Sequence, residues 1–587
     1  MAIQLSPGVS VVEADLTTVV PSVSTTTGAF VGNFVWGPGK IRKQIDSETT
    51  LNTVFGNPDS NTYVSYYTAA SFLAYANDLR VVRALSTTTV NADSNNSNAN
   101  IQIANEDVYD STYFHSDNSN TYGPFAARYA GALGNSIQVD IFDSSNSTLF
   151  NNGYVTVAGG TSHAWSSLVN GVPGTSSYVA AAGGSNDEFH VVVTDGGGLL
   201  TGVKGTVLEV YPYVSKAQDA IDGNNQTTYY KNIIFNQSKY IYCMDPVDYS
   251  NNSTTWGKNS TTTFTRSSLT ATGNAAFSLV GGADYGVSDA NLEAGWDLFA
   301  NKEAVDVSLL ITGGASSTVQ QYVIDNVATT AGSLVGRSGD SLAFISPPYA
   351  AVVNQSGAEV ANIQTWLGLL SRSSSYVVAD SGWKYMYDKY NNVYRYIPLN
   401  GDVAGLCAYT DSVRDPWYSP AGFNRGNVKN VVKLAWNPNQ TQRDTLYPVG
   451  INPVVSFPGN GTVLYGDKTL QTKPSAFDRI NVRRLFIVLE KAISKAASYS
   501  LFEFNDDFTR AQFVALVSPF LREVQGRRGI YDFRVVCDTT NNTGQVIDNN
   551  QFVGDIYIKP ARSINFIRLN FIAVGTGVQF TEVAGAI

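Results

Sequence analysis

Apolar positions along the chain change period several times, and each change marks a different element. Between residues 477 and 497 they recur at helical spacing. Ile480, Leu485, Val488, Leu489 and Ile493 share one stripe, with Arg479, Arg483, Lys491 and Lys495 mostly off it. That spacing predicts an amphipathic helix, and the stretch 508–523 predicts a second. Short apolar runs then predict strands over 531–537, 552–559 and 564–574. At the other end, 28–36 reads as a strand stopped by Gly37-Pro38-Gly39, followed by a helix over 63–77 and a strand over 79–85. Helix and strand alternate again at 289–300, 305–311, 319–331 and 341–345, a pattern that continues one α/β layer.

Between these stretches the texture differs. The run Asn91-Ala-Asp-Ser-Asn-Asn-Ser-Asn98 opens a region of short β-prone pieces (136–142, 189–193, 207–211 and 239–243) separated by Gly, Ser and Asn turns. Residues 1–25 have no helical stripe; Pro7-Gly8 turns the chain, residues 9–12 are β-prone, and Pro21 blocks a helix. Such a segment is buried only against something else. The fold class is therefore α+β and multidomain: an α/β core, an inserted β-rich domain, a C-terminal α/β module and extended arms at both ends. The expected boundaries are 1–25 for the N-terminal arm, 26–90 with 266–365 for the central domain, 91–265 for the outward-facing insertion, 366–460 for a mixed linking domain and 461–587 for the C-terminal module with its tail.

Composition adds three points. At 587 residues the chain exceeds what one core supports. Only 15% of residues are charged, while Ser, Thr, Asn, Gly and 33 tyrosines fill the deficit, which suits a β-rich particle protein. The cysteines, Cys243, Cys407 and Cys537, are odd in number and widely separated, so a reduced maturation is expected rather than a disulfide framework. The first 30 residues carry no basic stretch followed by an apolar run, and no segment approaches 18 uninterrupted apolar residues. Neither a secretion signal nor direct membrane insertion is expected. The net charge of −10 is uneven: residues 461–587 hold 15 Lys and Arg against 12 Asp and Glu, the remaining 460 residues 23 against 36. An acidic body argues against nucleic acid as the partner. The basic end suits an acidic protein surface, and chance clustering on solvated faces accounts for it equally well.

The sequence carries no pattern that supports catalysis. Residues 32–40 mimic a phosphate loop, but the glycine spacing before Gly39-Lys40 is wrong, Ile41 replaces the hydroxyl, and Pro38 removes a backbone donor. His115, His163 and His190 lack neighbours at metal-ligand spacing, and no Gly-x-Ser-x-Gly elbow supports a triad. Asp506-Asp507 precedes a helix, where capping is the better reading than paired catalysis. No cofactor, metal or catalytic residue is expected. Arg527-Arg528 follows a helix, where it either complements the dipole or docks an acidic partner.

Several segments resemble the tail sheath proteins of contractile-tailed bacteriophages. Ser6-Pro-Gly-Val-Ser-Val-Val-Glu13, Gly28-Ala-Phe-Val-Gly32 and Trp36-Gly-Pro38 are similar to the family's opening. Ala127-Arg-Tyr-Ala-Gly-Ala-Leu-Gly-Asn135, Gly281-Gly-Ala-Asp-Tyr-Gly286 and Ala304-Val-Asp-Val-Ser-Leu-Leu-Ile311 resemble later segments. The strongest likeness runs through Gly450-Ile-Asn-Pro453, Gly461-Thr-Val-Leu-Tyr-Gly466, Asn481-Val-Arg-Arg-Leu-Phe486, Phe502-Glu-Phe-Asn505 and Val535-Val-Cys-Asp538. Tyr465 stands where Trp is common, and the 91–265 insertion has no clear counterpart.

The resemblance implies a structural subunit, not an enzyme. Such proteins polymerise as helically stacked homo-hexameric rings around a tail tube protein, joined to baseplate and to tail terminator or neck proteins, and contract to drive the tube through the host envelope. The expected location is the virion tail, after assembly in the host cytoplasm. The resemblance places Pro7, Gly8, Val9, Val11 and Glu13 in an inter-subunit N-terminal arm and Val578, Phe580 and Val583 in an inter-subunit tail. Arg522, Arg527 and Arg528 are the tube-facing candidates. The sheath of a related contractile injection system, and a secreted β-rich glycan-binding protein or hydrolase, are the alternative readings.

Overall fold

Parallel strands that are apolar on both faces need helices on both sides, and the central sheet meets that demand. A computed structural model describes residues 24–95, 101–115, 122–244, 255–266, 274–328 and 339–565. These residues fall into two compact units. The larger runs to Pro416 and resumes over Pro420–Arg483; the smaller comprises Trp417–Ser419 and the chain from Arg484 onward.

The larger unit is built on a seven-stranded sheet in the order Ile451–Asn452, Val377–Asp380, Leu342–Ile345, Leu309–Ile311, Gly28–Gly32, Leu79–Arg83, Arg42–Ile45. All neighbours are parallel except the last pair. Successive strands leave the 28–32 strand first to one side and then to the other, as in doubly wound folds. Side chains alternate between two buried faces. Ala29, Val31, Val82, Leu310, Ala343, Ile345 and Val377 pack with Trp296, Phe299, Val323, Ile363 and Trp366 from helical segments on one side. On the other, helices Tyr63–Leu73 and Asn400–Val413 lie together against the sheet.

The same unit holds an antiparallel sheet in the order Asn274–Ser278, Ile137–Phe142, Glu188–Asp195, Thr206–Ser215. Ile137, Val139, Ile141, Phe189, Val191 and Val193 line one core with Trp256, while Phe142 and Val192 meet Phe150 and Trp165 on the opposite face. Lys216 is buried at its edge, 2.8 Å from Asp143 and 4.8 Å from the Trp256 ring centre; burial lowers its pKa to about 8. Arg266 shares Asp143 at 3.0 Å. Asn274–Ser278 lies beyond residue 265 yet pairs with residues 138–142, and Gly461–Leu464 pairs with Val454–Phe457 inside the larger unit rather than with the C-terminal helices. Both differ from the boundaries read in the sequence, because a strand's partner is set by backbone pairing that local composition does not report.

Candidate assembly interface

Three places on the larger unit have the outline of a chemical site, and each is filled. The loop over residues 34–39 turns two carbonyls inward onto one arginine: Arg83 is 1% exposed and donates to Phe34 O and Gly37 O, and to Ala130 O outside the loop, each at 2.8 Å. A loop whose carbonyls converge on a guanidinium is the reverse of a phosphate cradle, which points N–H groups at its ligand. The crevice at the carboxyl ends of the 28–32 and 309–311 strands, where doubly wound sheets bind ligands, is closed by buried Asn400. Its Oδ1 accepts from Gly313 N at 3.1 Å and its Nδ2 donates to Gly313 O at 2.7 Å. The histidines serve structure or solvent. His190 is fixed between Gly171 O and the Tyr213 N–H, His163 meets Gly205 O, and His115 lies on the surface. Among the described residues no three His, Cys, Asp or Glu side chains cluster to hold a metal, and the cysteines are free and buried. No described helix is long and apolar enough to cross a membrane.

The smaller unit is different, because it exposes surface that the described residues leave uncovered. Asp506 caps the helix Asp507–Gly526, its carboxylate accepting from the Thr509 N–H at 2.8 Å, as the sequence led us to expect. Phe513, Val517, Leu521 and Val524 form the helix's buried stripe against Leu485, Leu489, Ile530 and Trp417. Pro519 sits on the exposed side, where its missing N–H is best tolerated. The helix ends with Arg528 in a left-handed turn (φ 66°) and the Gly529 N–H returning to Val524 O at 2.9 Å.

Strands Ile530–Val536 and Asp555–Pro560 follow as an antiparallel pair. Phe533, Val535, Ile556 and Ile558 face the helix; Tyr531, Arg534, Tyr557 and Lys559 are exposed. Among the described residues no third strand pairs with this ribbon. Its edges are therefore rows of donors and acceptors available to another strand, and two strands alone are marginal.

Arg522, Arg527 and Arg528 cluster at the carboxyl end of the 507–526 helix, all exposed, with Arg527 3.4 Å from Glu523. The arm residues Pro7, Gly8, Val9, Val11 and Glu13 and the tail residues Val578, Phe580 and Val583 lie outside the described residues. Arg483, which the helical pattern placed largely off the apolar stripe, is buried: it lies over the rings of Tyr376 and Phe477, at 4.2 and 3.9 Å, and donates to Ser375 Oγ at 2.8 Å. Sequence reasoning also passed over the turn 498–508 as a surface. The available sign is Phe502 and Phe504 among polar residues ahead of a capped helix, with Phe508 in its first turn.

Two family models match the chain: phage tail sheath protein central domain over residues 285–470 and phage tail sheath C-terminal domain over residues 472–573. The chain is 34% identical over 709 aligned residues to a tail sheath protein of Vibrio phage KVP40, covering 99% of this chain and 100% of that protein. It is 34% identical to the tail sheath protein of Enterobacteria phage T4, covering 99% of each. Among solved structures it is similar in fold to a sheath tail protein from Listeria innocua, at 11% identity and a TM-score of 0.51, covering 92% of this chain and 96% of that one.

Proposed function

We propose, from the premise that this chain belongs to the tail sheath protein family of contractile-tailed bacteriophages, how it serves as a structural subunit of a contractile tail sheath. Subunits stack as six-membered rings around a tail tube, with baseplate and neck proteins at the two ends. The observation that carries this reading is the end-to-end match, at 34% identity, to tail sheath proteins. It favours a sheath over a secreted glycan-binding protein or hydrolase.

The open ribbon of Ile530–Val536 and Asp555–Pro560 supports a role for the chain ends as added strands. A 20-residue N-terminal arm spans roughly 66 Å when extended, at about 3.3 Å per residue, which is enough to reach a neighbouring copy. Each added hydrogen bond contributes about 0.5–1.5 kcal/mol, while ordering a residue costs roughly 1–2 kcal/mol. Hydrogen bonding alone leaves one arm weakly bound. Apolar contacts of Val9 and Val11 and repetition through the polymer tip the balance, so an arm tethers neighbours while their bodies rotate between two packings.

The test is negative-stain microscopy of the purified full chain beside a form lacking residues 1–20. The full chain should form striated or hollow tubes, and the shortened chain single subunits or isolated rings. Tubes of normal length from the shortened chain would remove the arm from the assembly, and absence of any polymer from the full chain would remove the sheath mechanism.

A further inference from the structure

The turn between helices Ile480–Ala497 and Asp507–Gly526, together with the first turn of the second helix, holds five large apolar side chains in solvent. Tyr499, Leu501, Phe502, Phe504 and Phe508 are each at least 66% exposed, and Phe502 fully so. Aromatic side chains present about 150–250 Å² apiece, so the four rings alone expose on the order of 700 Å². The largest apolar patch on an ordinary monomer is about 300–600 Å², whereas one side of a standard protein interface is about 800 Å². The turn and the first residues of the helix after it carry nearly the area of half an interface.

The turn is tied down. Asn505 donates Nδ2 to Gln551 O at 2.7 Å and accepts from Arg510 Nη1 at 2.6 Å. The Leu501 and Glu503 N–H groups close back on Ser498 O and Ser500 O. Phe502 has φ 70°, a left-handed conformation unfavourable for a large side chain. Because its ring is wholly exposed, intrachain packing does not offset that cost. A rigid aromatic held outward loses little entropy when it is buried by a partner.

Charge narrows the class of partner. The turn carries Glu503, Asp506 and Asp507; Asp506 is engaged in capping and Asp507 with Arg510. One remaining carboxylate among five apolar groups is a poor match for a polyanion or a lipid headgroup. It matches the apolar centre of a contact between copies of one protein. Another copy also offers apolar surface to receive it: Tyr387, Val393, Tyr394 and Val432 are 40–61% exposed on the larger unit, beside a groove of about 490 Å³ that Tyr67 and Met386 help to line. A protrusion on one surface meeting a different surface of the next copy is heterologous, the kind of contact that builds rings and helices.

We propose that the 499–508 knuckle docks on a second copy of this chain, a subunit contact separate from the exchanged arms; it rests on the sheath reading. The experiment uses full-length protein carrying Tyr499→Cys, which leaves Phe502 and Phe504 in place, labelled with a benzophenone maleimide. The native cysteines are buried, so position 499 takes the label. Irradiating assembled tails should give an adduct of twice the chain mass. Independently, Phe502→Ser with Phe504→Ser should raise the concentration needed for polymerisation at least about tenfold while shifting Tm by less than about 2 °C, since exposed side chains contribute little to folding. An adduct with the tube protein, absence of a chain-to-chain adduct, or polymerisation of the double variant at the wild-type concentration would each overturn the proposal. If wild-type chains polymerise and the double variant does so equally well, only this contact falls; if wild-type chains never polymerise, the sheath reading falls with it.

Discussion

Asp380 ends a central strand fully buried, with no ion-pair partner among the described residues. Ser346 Oγ donates to one oxygen at 2.6 Å and the Gly382 N–H to the other at 2.9 Å. Burial nevertheless dominates and pushes its pKa up to about 8, with Asp402 nearby adding to the shift. An unfolded aspartate ionises near pH 3.9, so between that value and about 8 the folded chain binds the extra proton. Stability must therefore fall as pH rises through that window, by up to about 1.4 kcal/mol per pH unit. Asp380→Asn removes this residue's share of the slope. Urea unfolding of dissociated subunits should show the variant gaining on wild type from pH 5 to pH 8; an unchanged difference would mean that Asp380 stays ionised. Residues of this kind are invisible in the sequence, since an acidic side chain ending an apolar strand looks like an ordinary exposed terminus. Arg483 misled for the converse reason: helical phase put it largely off the stripe, but phase does not say what lies outside the helix, and here it is Tyr376, Phe477 and Ser375.

Elements with one buried face were legible. The strands over Leu79–Arg83, Leu342–Ile345 and Ile530–Val536 and the helices over Asp289–Ala300 and Asp507–Gly526 fall within a few residues of where periodicity put them. The helix Asn400–Val413 leaves no periodic signal in the sequence, because it is buried through most of its length and has no polar face to set a period. It also contains Gly401 and Gly405, which weaken helices in isolation. Packing explains both: a Cβ on Gly401 would lie 2.5 Å from Thr68 O, and one on Gly405 2.5 Å from the Tyr75 ring. Gly401 lets this helix approach the Tyr63–Leu73 helix closely, and Gly405 leaves room for Tyr75 just past that helix's end. Gly401→Ala should accordingly lower stability by about 1–3 kcal/mol through overpacking, although alanine is the better helix former. Thermal unfolding decides the sign, and a raised Tm would show that the two helices have room to separate.

For the whole molecule, the division of charge matters more than its total. The body outside residues 461–587 carries 13 excess negative charges, while 461–587 carries three excess positive ones. Under the sheath reading proposed above, the basic C-terminal module is the part of the chain suited to face an acidic tube. Arg522, Arg527 and Arg528 are exposed and sit at a helix carboxyl terminus, where their charge is also favourable to the helix itself. The two roles separate under charge reversal. Arg527→Glu with Arg528→Glu should cost the isolated subunit only a small shift in Tm, while reducing the yield of extended tails on purified tubes at least about tenfold. Raising salt from 0.1 to 0.5 M should weaken wild-type assembly in the same direction, because exposed charges are screened over a few ångströms at the higher value. Tails counted by negative stain give the measure. Undiminished extended tails from the reversed variant would confine these arginines to capping their own helix and move the tube contact elsewhere on the module.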